Sequence, residues 1–75
     1  MNKARRKWLS DIYEAIENAK NEIENIREEE QESYDNIPEN LNMTDRASTM
    51  EENIDNLDYI VSSLEDALEY FDDIQ

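Results

Sequence analysis

The side chains able to do chemistry in this chain are almost all carboxylates: 21 Asp and Glu stand against 7 Lys and Arg, with no histidine and no cysteine. Carboxylates can ligate hard cations, or can work in pairs as acid and base where a cleft drives their pKa values apart. Neither use fits the spacing. A Ca²⁺ loop sets alternating oxygen ligands around a glycine, and the chain has none. Di-iron bundles take Glu-x-x-His, and the usual zinc sites take histidine or cysteine. The densest run, Glu28, Glu29, Glu30 and Glu32, spreads around a helix instead of converging on one ion. With no serine beside a candidate base, nucleophilic catalysis has no machinery either. A helical chain of 75 residues offers no pocket deep enough to tune a buried pair. The expectation is a non-enzymatic protein with no cofactor and no metal.

What the carboxylates can do is repel and attract at long range. The net charge is −14, and four of the seven basic residues, Lys3, Arg5, Arg6 and Lys7, lie in the first seven positions. The remainder carries 3 basic against 21 acidic residues, a net of −18. Direct binding of nucleic acid is excluded on that balance, because a duplex would be repelled along nearly the whole length. A basic protein is the natural complement. Asp11, Glu14 and Glu17 interrupt any apolar run after the basic start, so no signal peptide is read there. No segment is apolar enough to span a membrane, and the expected location is cytoplasmic.

Those charges need a scaffold, and the composition supplies helix. There is no glycine and a single proline, and Glu, Asn, Ile, Leu, Ala and Asp dominate. Apolar residues recur at Leu9, Ile12, Ile16, Ala19, Ile23 and Ile26, a heptad seam that then runs onto Glu30 and Ser33. A helix over 3–35 is expected, ended by Ile37 and Pro38, and followed by a turn over 36–44 in which Pro38 to Leu41 can form one helical turn. Thr44 is a candidate N-cap, and Ser48 with Glu51 reads as a capping box. A second helix over 45–75 carries the seam Ala47, Met50, Ile54, Leu57, Val61, Leu64, Leu68 and Phe71.

A short turn makes the two helices antiparallel neighbours, an all-α hairpin in one domain. The e positions agree, since Arg6, Tyr13, Lys20, Arg27 and Tyr34 on the first helix meet Glu51, Asp58, Glu65 and Asp72 on the second. Folding about residue 40 puts Arg27 near Glu51 or Asp58, Lys20 near Asp58 or Glu65, and Arg6 near Asp72. That pairing would also let the basic start of one helix offset the acidic end of the other. It explains Lys3 to Lys7 without a membrane or nucleic-acid patch. The g positions are different: Trp8, Ile60, Ala67 and Ile74 form an extra apolar face near the chain termini that two helices cannot cover. A second copy is expected there, giving a homodimeric four-helix bundle, against the plainer reading of a monomer with a ragged apolar edge. Among the aromatics, Tyr59 and Tyr70 point outward and are the candidates for a partner contact.

The outward acids Glu14, Glu17, Glu24, Glu28, Glu32, Asp55, Asp66, Glu69 and Asp73 are the candidate partner-binding surface. Spread over a rod of about 50 Å, the 21 carboxylates give about one charge per 2.4 Å, against ~1.7 Å in duplex DNA. Such a rod can enter the basic groove of a nuclease or DNA-binding protein, the alternative being charge that serves solubility alone. The segments RRKWL at 5–9, EEEQESYDNIPENL at 28–41 and MEENIDNLDYIVSSLEDALEYF at 50–71 together resemble a family of small, acidic helical-hairpin proteins of phages and Firmicute prophages. The most specific part is the hinge, EEQESYDNIPENL at 29–41. The resemblance carries over no catalytic or ligand residue. It implies a phage context, in which small acidic proteins block host nucleases by posing as DNA, anti-CRISPR proteins among them.

Overall fold

In the computed structural model, residues 1–41 and 45–75 are described, together forming two long helices and one short turn of helix. Helix α1 spans Lys3–Asp35 and helix α2 spans Asp45–Phe71, with a 3₁₀ turn at Glu39–Leu41 between them. The two helices pack against each other along their length, and the molecule measures 60 × 15 × 13 Å. It is an all-α helical hairpin.

Local chemistry sets the ends of α1. The Oδ1 of Asn2 accepts a hydrogen bond from the Arg5 N–H at 2.8 Å, satisfying one of the free donors of the first turn. At the other end the Asn36 N–H donates to the Glu32 carbonyl, after which Pro38 has no N–H to continue the ladder. The N-cap expected at Thr44 lies outside the described residues. Helix α2 begins at Asp45, so Ser48 sits inside its first turn and Glu51 is used elsewhere. Its far end stops at Phe71, four residues before the expected Gln75. There the N–H groups of Asp72, Asp73 and Ile74 turn back to carbonyls three residues earlier. Two aspartates at the negative end of a helix dipole disfavour another α-turn, and the tighter bonds close the helix instead.

The packing departs from the expected seam on one side only. On α2 the a and d positions face inward as expected, with Ala47, Met50, Ile54 and Leu68 buried and Leu57, Val61, Leu64 and Phe71 half-buried. On α1 the inward stripe is a and e: Leu9, Ile16 and Ile23 alternate with Tyr13, Lys20, Arg27 and Tyr34. The d positions Ile12, Ala19 and Ile26, expected in the core, are exposed, Ile26 at 52%. The amphipathic side chains at e lay their stems along α2, where Arg27 and Tyr34 reach the carboxylates of Asp58 and Glu51 and Tyr13 packs on Phe71, and this rolls the d row outward. No residue of α1 is fully buried.

Candidate functional site

Cross-helix side-chain contacts fix the register. Arg27 donates to Asp58 at 2.9 Å from Nε to Oδ1, and the Tyr34 hydroxyl donates to a Glu51 carboxylate oxygen. Moving one heptad back along α1 therefore moves one heptad forward along α2. Two heptads further, Tyr13 meets Phe71 edge to face, with centroids 5.5 Å apart and planes at 80°. The same steps set Lys20 opposite Glu65 and carry Arg6 past the last residue of the chain. The first two turns of α1 thus overhang the end of α2.

Two expected ion pairs do not form, that of Lys20 in spite of this register and that of Arg6 because of it. Lys20 reaches Glu24 on its own helix, at 3.8 Å, in place of Asp58 or Glu65. Its side chain is only 20% exposed, so it covers α2 with its stem even though its charge is paired locally. Arg6 lines an open groove with Asp72 but forms no ion pair with it, and its Nε donates to the Met1 carbonyl at 3.3 Å. Among the described residues, Arg27–Asp58 is the one ion pair between the helices.

Around Arg27 lies a shallow polar groove lined by Gln31, Tyr34, Glu51, Ile54, Asp55 and Asp58. The Tyr34 phenol is raised above its ordinary value, first by donating its proton to the Glu51 carboxylate and then by partial desolvation. Lys7 is raised by its hydrogen bond to, and attraction from, Asp11 on the next turn. Gln31 donates to Asp35 at 2.9 Å. Among the described residues no three carboxylates converge closely enough to hold a metal ion.

The nine outward acids do not form one plane. By heptad position Glu17, Glu24, Asp55 and Glu69 flank the same side as the Arg27–Asp58 pair. Glu14, Glu28 and Glu32 lie on the back of α1, and Asp66 and Asp73 on the back of α2. All are exposed except Glu24, which is half-buried beside Lys20. The acids therefore form a belt around three sides of the rod. Over the 60 Å long axis, 21 carboxylates are one per about 2.9 Å, sparser than the expected 2.4 Å because the overhang lengthens the molecule.

The fourth side is largely apolar, with Glu22 and Glu29 of the α1 g row as its exposed charges. Trp8 is 69% exposed, and Ile60 and Ile74 are exposed with Ala67 half-buried beside them. The displaced row Ile12, Ala19 and Ile26 joins this face, a contribution that the a/d reading had assigned to the core. Tyr59 stands away from it on the back of α2 and Tyr70 borders it beside Ala67 and Ile74, each 71% exposed, and neither hydroxyl makes a hydrogen bond among the described residues. Among the described residues no helix is long and apolar enough to cross a membrane.

Fold and surface together define an acidic helical hairpin with a carboxylate belt and one uncovered apolar side. No protein-family model, curated protein or solved structure matches the chain.

Proposed function

We propose that this hairpin is a non-catalytic interaction protein whose carboxylate belt occupies the basic groove of a nuclease or DNA-binding protein, standing in for a nucleic-acid backbone. The observation that carries the reading is the belt itself. Eight of its nine candidate acids are exposed and unpaired, held at fixed spacing on a stiff two-helix rod. A groove lined with Lys and Arg gains from such anions what it gains from phosphates, including release of condensed counterions. The rod needs no ordering on binding, so little of that gain is lost to entropy. The likeness of the hinge to phage and prophage proteins supports the same reading, since blocking a host nuclease is an advantage in that setting.

Density bears on how the belt is used. One carboxylate per about 2.9 Å is roughly six-tenths of the charge density of a duplex, which carries one charge per ~1.7 Å. Two hairpins side by side would bring it to about 1.4 Å, above that of the duplex. A second reading, a self-assembling module whose charge serves only solubility, is favoured by one observation, the exposed apolar side.

The two readings separate in one experiment. Protein captured on the immobilised hairpin at about 50 mM salt should be released at about 500 mM, where the Debye length falls to a few ångströms. The captured protein should bind duplex DNA, and DNA should displace it. The triple substitution Asp66→Asn, Glu69→Gln and Asp73→Asn should weaken capture on the order of tenfold or more. Capture unchanged by salt and by that variant overturns the reading.

A further inference from the structure

The apolar side has a symmetry that follows from the register, and it specifies its own occupant. The exposed d row of α1 is Arg5, Ile12, Ala19, Ile26 and Ser33, one residue per heptad. Its apolar part, Ile-Ala-Ile, reads the same in both directions about Ala19, which is also the midpoint of Lys3–Asp35. Beside it on α2 runs the g row Ile60, Ala67 and Ile74, again Ile-Ala-Ile and again the same in both directions. The contact register sets Ala67 next to Ala19, so both rows share one centre.

We infer that this side pairs with a second copy of the chain running in the opposite direction, about a two-fold axis through the Ala19 and Ala67 row. A surface that meets itself across a two-fold must be self-complementary, and this one is in shape, in charge and in length. In shape, Ile12 faces the partner's Ile26, Ile60 faces the partner's Ile74, and small alanines at the axis let the backbones approach. In charge, the basic start Lys3 to Lys7 faces the partner's Glu29 to Asp35, so Arg5 lies opposite the partner's Ser33 with carboxylates on either side. The positive N-terminal end of each α1 dipole also meets the negative C-terminal end of the other. In length, the overhang that α2 leaves uncovered is covered by the far end of the partner's α1, and Trp8 comes to rest against the stem of the partner's Glu29.

The area agrees. The outline of one long side, 60 × 15 Å between Cα atoms, is about 900 Å², large enough to contain the ~800 Å² that each partner buries in a standard stable interface. Running the two copies in the same direction would instead bring both overhangs to one end, where neither α2 extends to meet Trp8. The expected bundle centred on the termini is thereby replaced by one centred on the middle of α1. The inference stands whether or not the carboxylate belt binds a basic protein.

Sedimentation equilibrium at about 100 µM should give twice the 8.9 kDa chain mass, and the dimer should persist at high salt, where net repulsion between two chains of −14 is screened. Ala19→Glu should return the mass to one chain while far-UV helicity is kept, and Tyr59→Glu, on another side, should leave the dimer intact. Orientation is read by cysteine crosslinking, for which the chain provides a clean background. An equimolar mixture of Arg5→Cys and Ser33→Cys chains should oxidise to the mixed dimer, and neither chain alone should crosslink efficiently. The mixed crosslink decides the matter even if Ala19→Glu fails to fold. A single-chain mass at that concentration, or self-crosslinking of Arg5→Cys in preference to the mixed product, overturns the inference.

Discussion

Arg27 and Asp58, 31 residues apart in sequence, meet as a two-pronged pair, with Nε–Oδ1 at 2.9 Å and a second, longer bond at 3.5 Å from the other prong. The side chains are 33% and 53% exposed, so water screens the attraction and its contribution to stability is small. A double-mutant cycle of Arg27→Ala and Asp58→Ala, followed by chemical denaturation, should give a coupling of about 0.2–1 kcal/mol. The pair matters more for direction. Reversing one charge with Arg27→Glu should destabilise the hairpin by more than the alanine variant does, and the swap Arg27→Glu with Asp58→Arg should restore most of the loss.

Tyr34 and Glu51 predict the alkaline limb of the stability curve. The phenol pKa is raised above 10.0 in the folded hairpin because the neutral O–H donates to the carboxylate. Folded protein therefore holds this proton more tightly than unfolded protein. The resulting stabilisation is complete below the unfolded value, near 10, and is lost as pH rises through the folded value. Thermal melts from pH 8 to pH 11 should show wild type losing an advantage over Tyr34→Phe only above about pH 10. The difference in tyrosinate absorbance between the two proteins should titrate with a midpoint above 10.0.

How much of this was legible beforehand depends on which force set each feature. The bounds of α1 and the place of the hinge are local matters, decided by Asn36, Pro38 and the heptad repeat, and they read directly from the sequence. The acid-to-base match of the e ridges gave the antiparallel direction and the Arg27–Asp58 pair. The rotation of α1 was not legible, because Ile12, Ala19 and Ile26 look like seam residues while Tyr13, Lys20 and Arg27 look like surface. Only the partners that α2 brings, Asp58 for Arg27 and the Phe71 ring for Tyr13, with a surface for the Lys20 stem, make the a/e stripe the better contact. A clue was present, since the d row passes from Ile26 onto Ser33, and an alanine at its centre fills little core. The pairing of Arg6 with Asp72 failed for a related reason: a turn centre misplaced by two or three residues moves opposing positions apart by twice that number.

The thinness of the core gives the next prediction. Only Ala47, Met50, Ile54 and Leu68 are buried among the described residues, all on α2. A chain of this size is stabilised by roughly 4–11 kcal/mol in total. Ile54→Ala or Leu68→Ala should cost about 2–4 kcal/mol each, a large share of it, through lost burial and a cavity that two rigid helices fill poorly. Tyr59→Ala, at an exposed position, should change stability by no more than about 0.5 kcal/mol. Urea denaturation followed by far-UV circular dichroism compares the three directly, and equal losses at buried and exposed positions would contradict the packing described.

The acidic end of α2 decides the sign of the salt response. Glu69, Asp72 and Asp73 stand at the negative end of the α2 dipole, with no basic residue in its last turn. The basic start of α1, expected to offset them, overhangs the end of α2, and Arg6 forms no ion pair with Asp72. Against this repulsion, and a net charge of −14, stand three ion pairs among the described residues, all substantially exposed on at least one side. Screening therefore removes more repulsion than attraction. The melting temperature should rise between about 10 mM and about 500 mM salt, where a protein held by its ion pairs would show a fall. The double variant Asp72→Asn with Asp73→Asn should be stabilised at low salt by about 0.3–1 kcal/mol per charge removed. That gain should shrink as salt is added, because the same screening already relieves the charges in wild type, and a gain that does not shrink would locate its origin in helix propensity instead of the dipole.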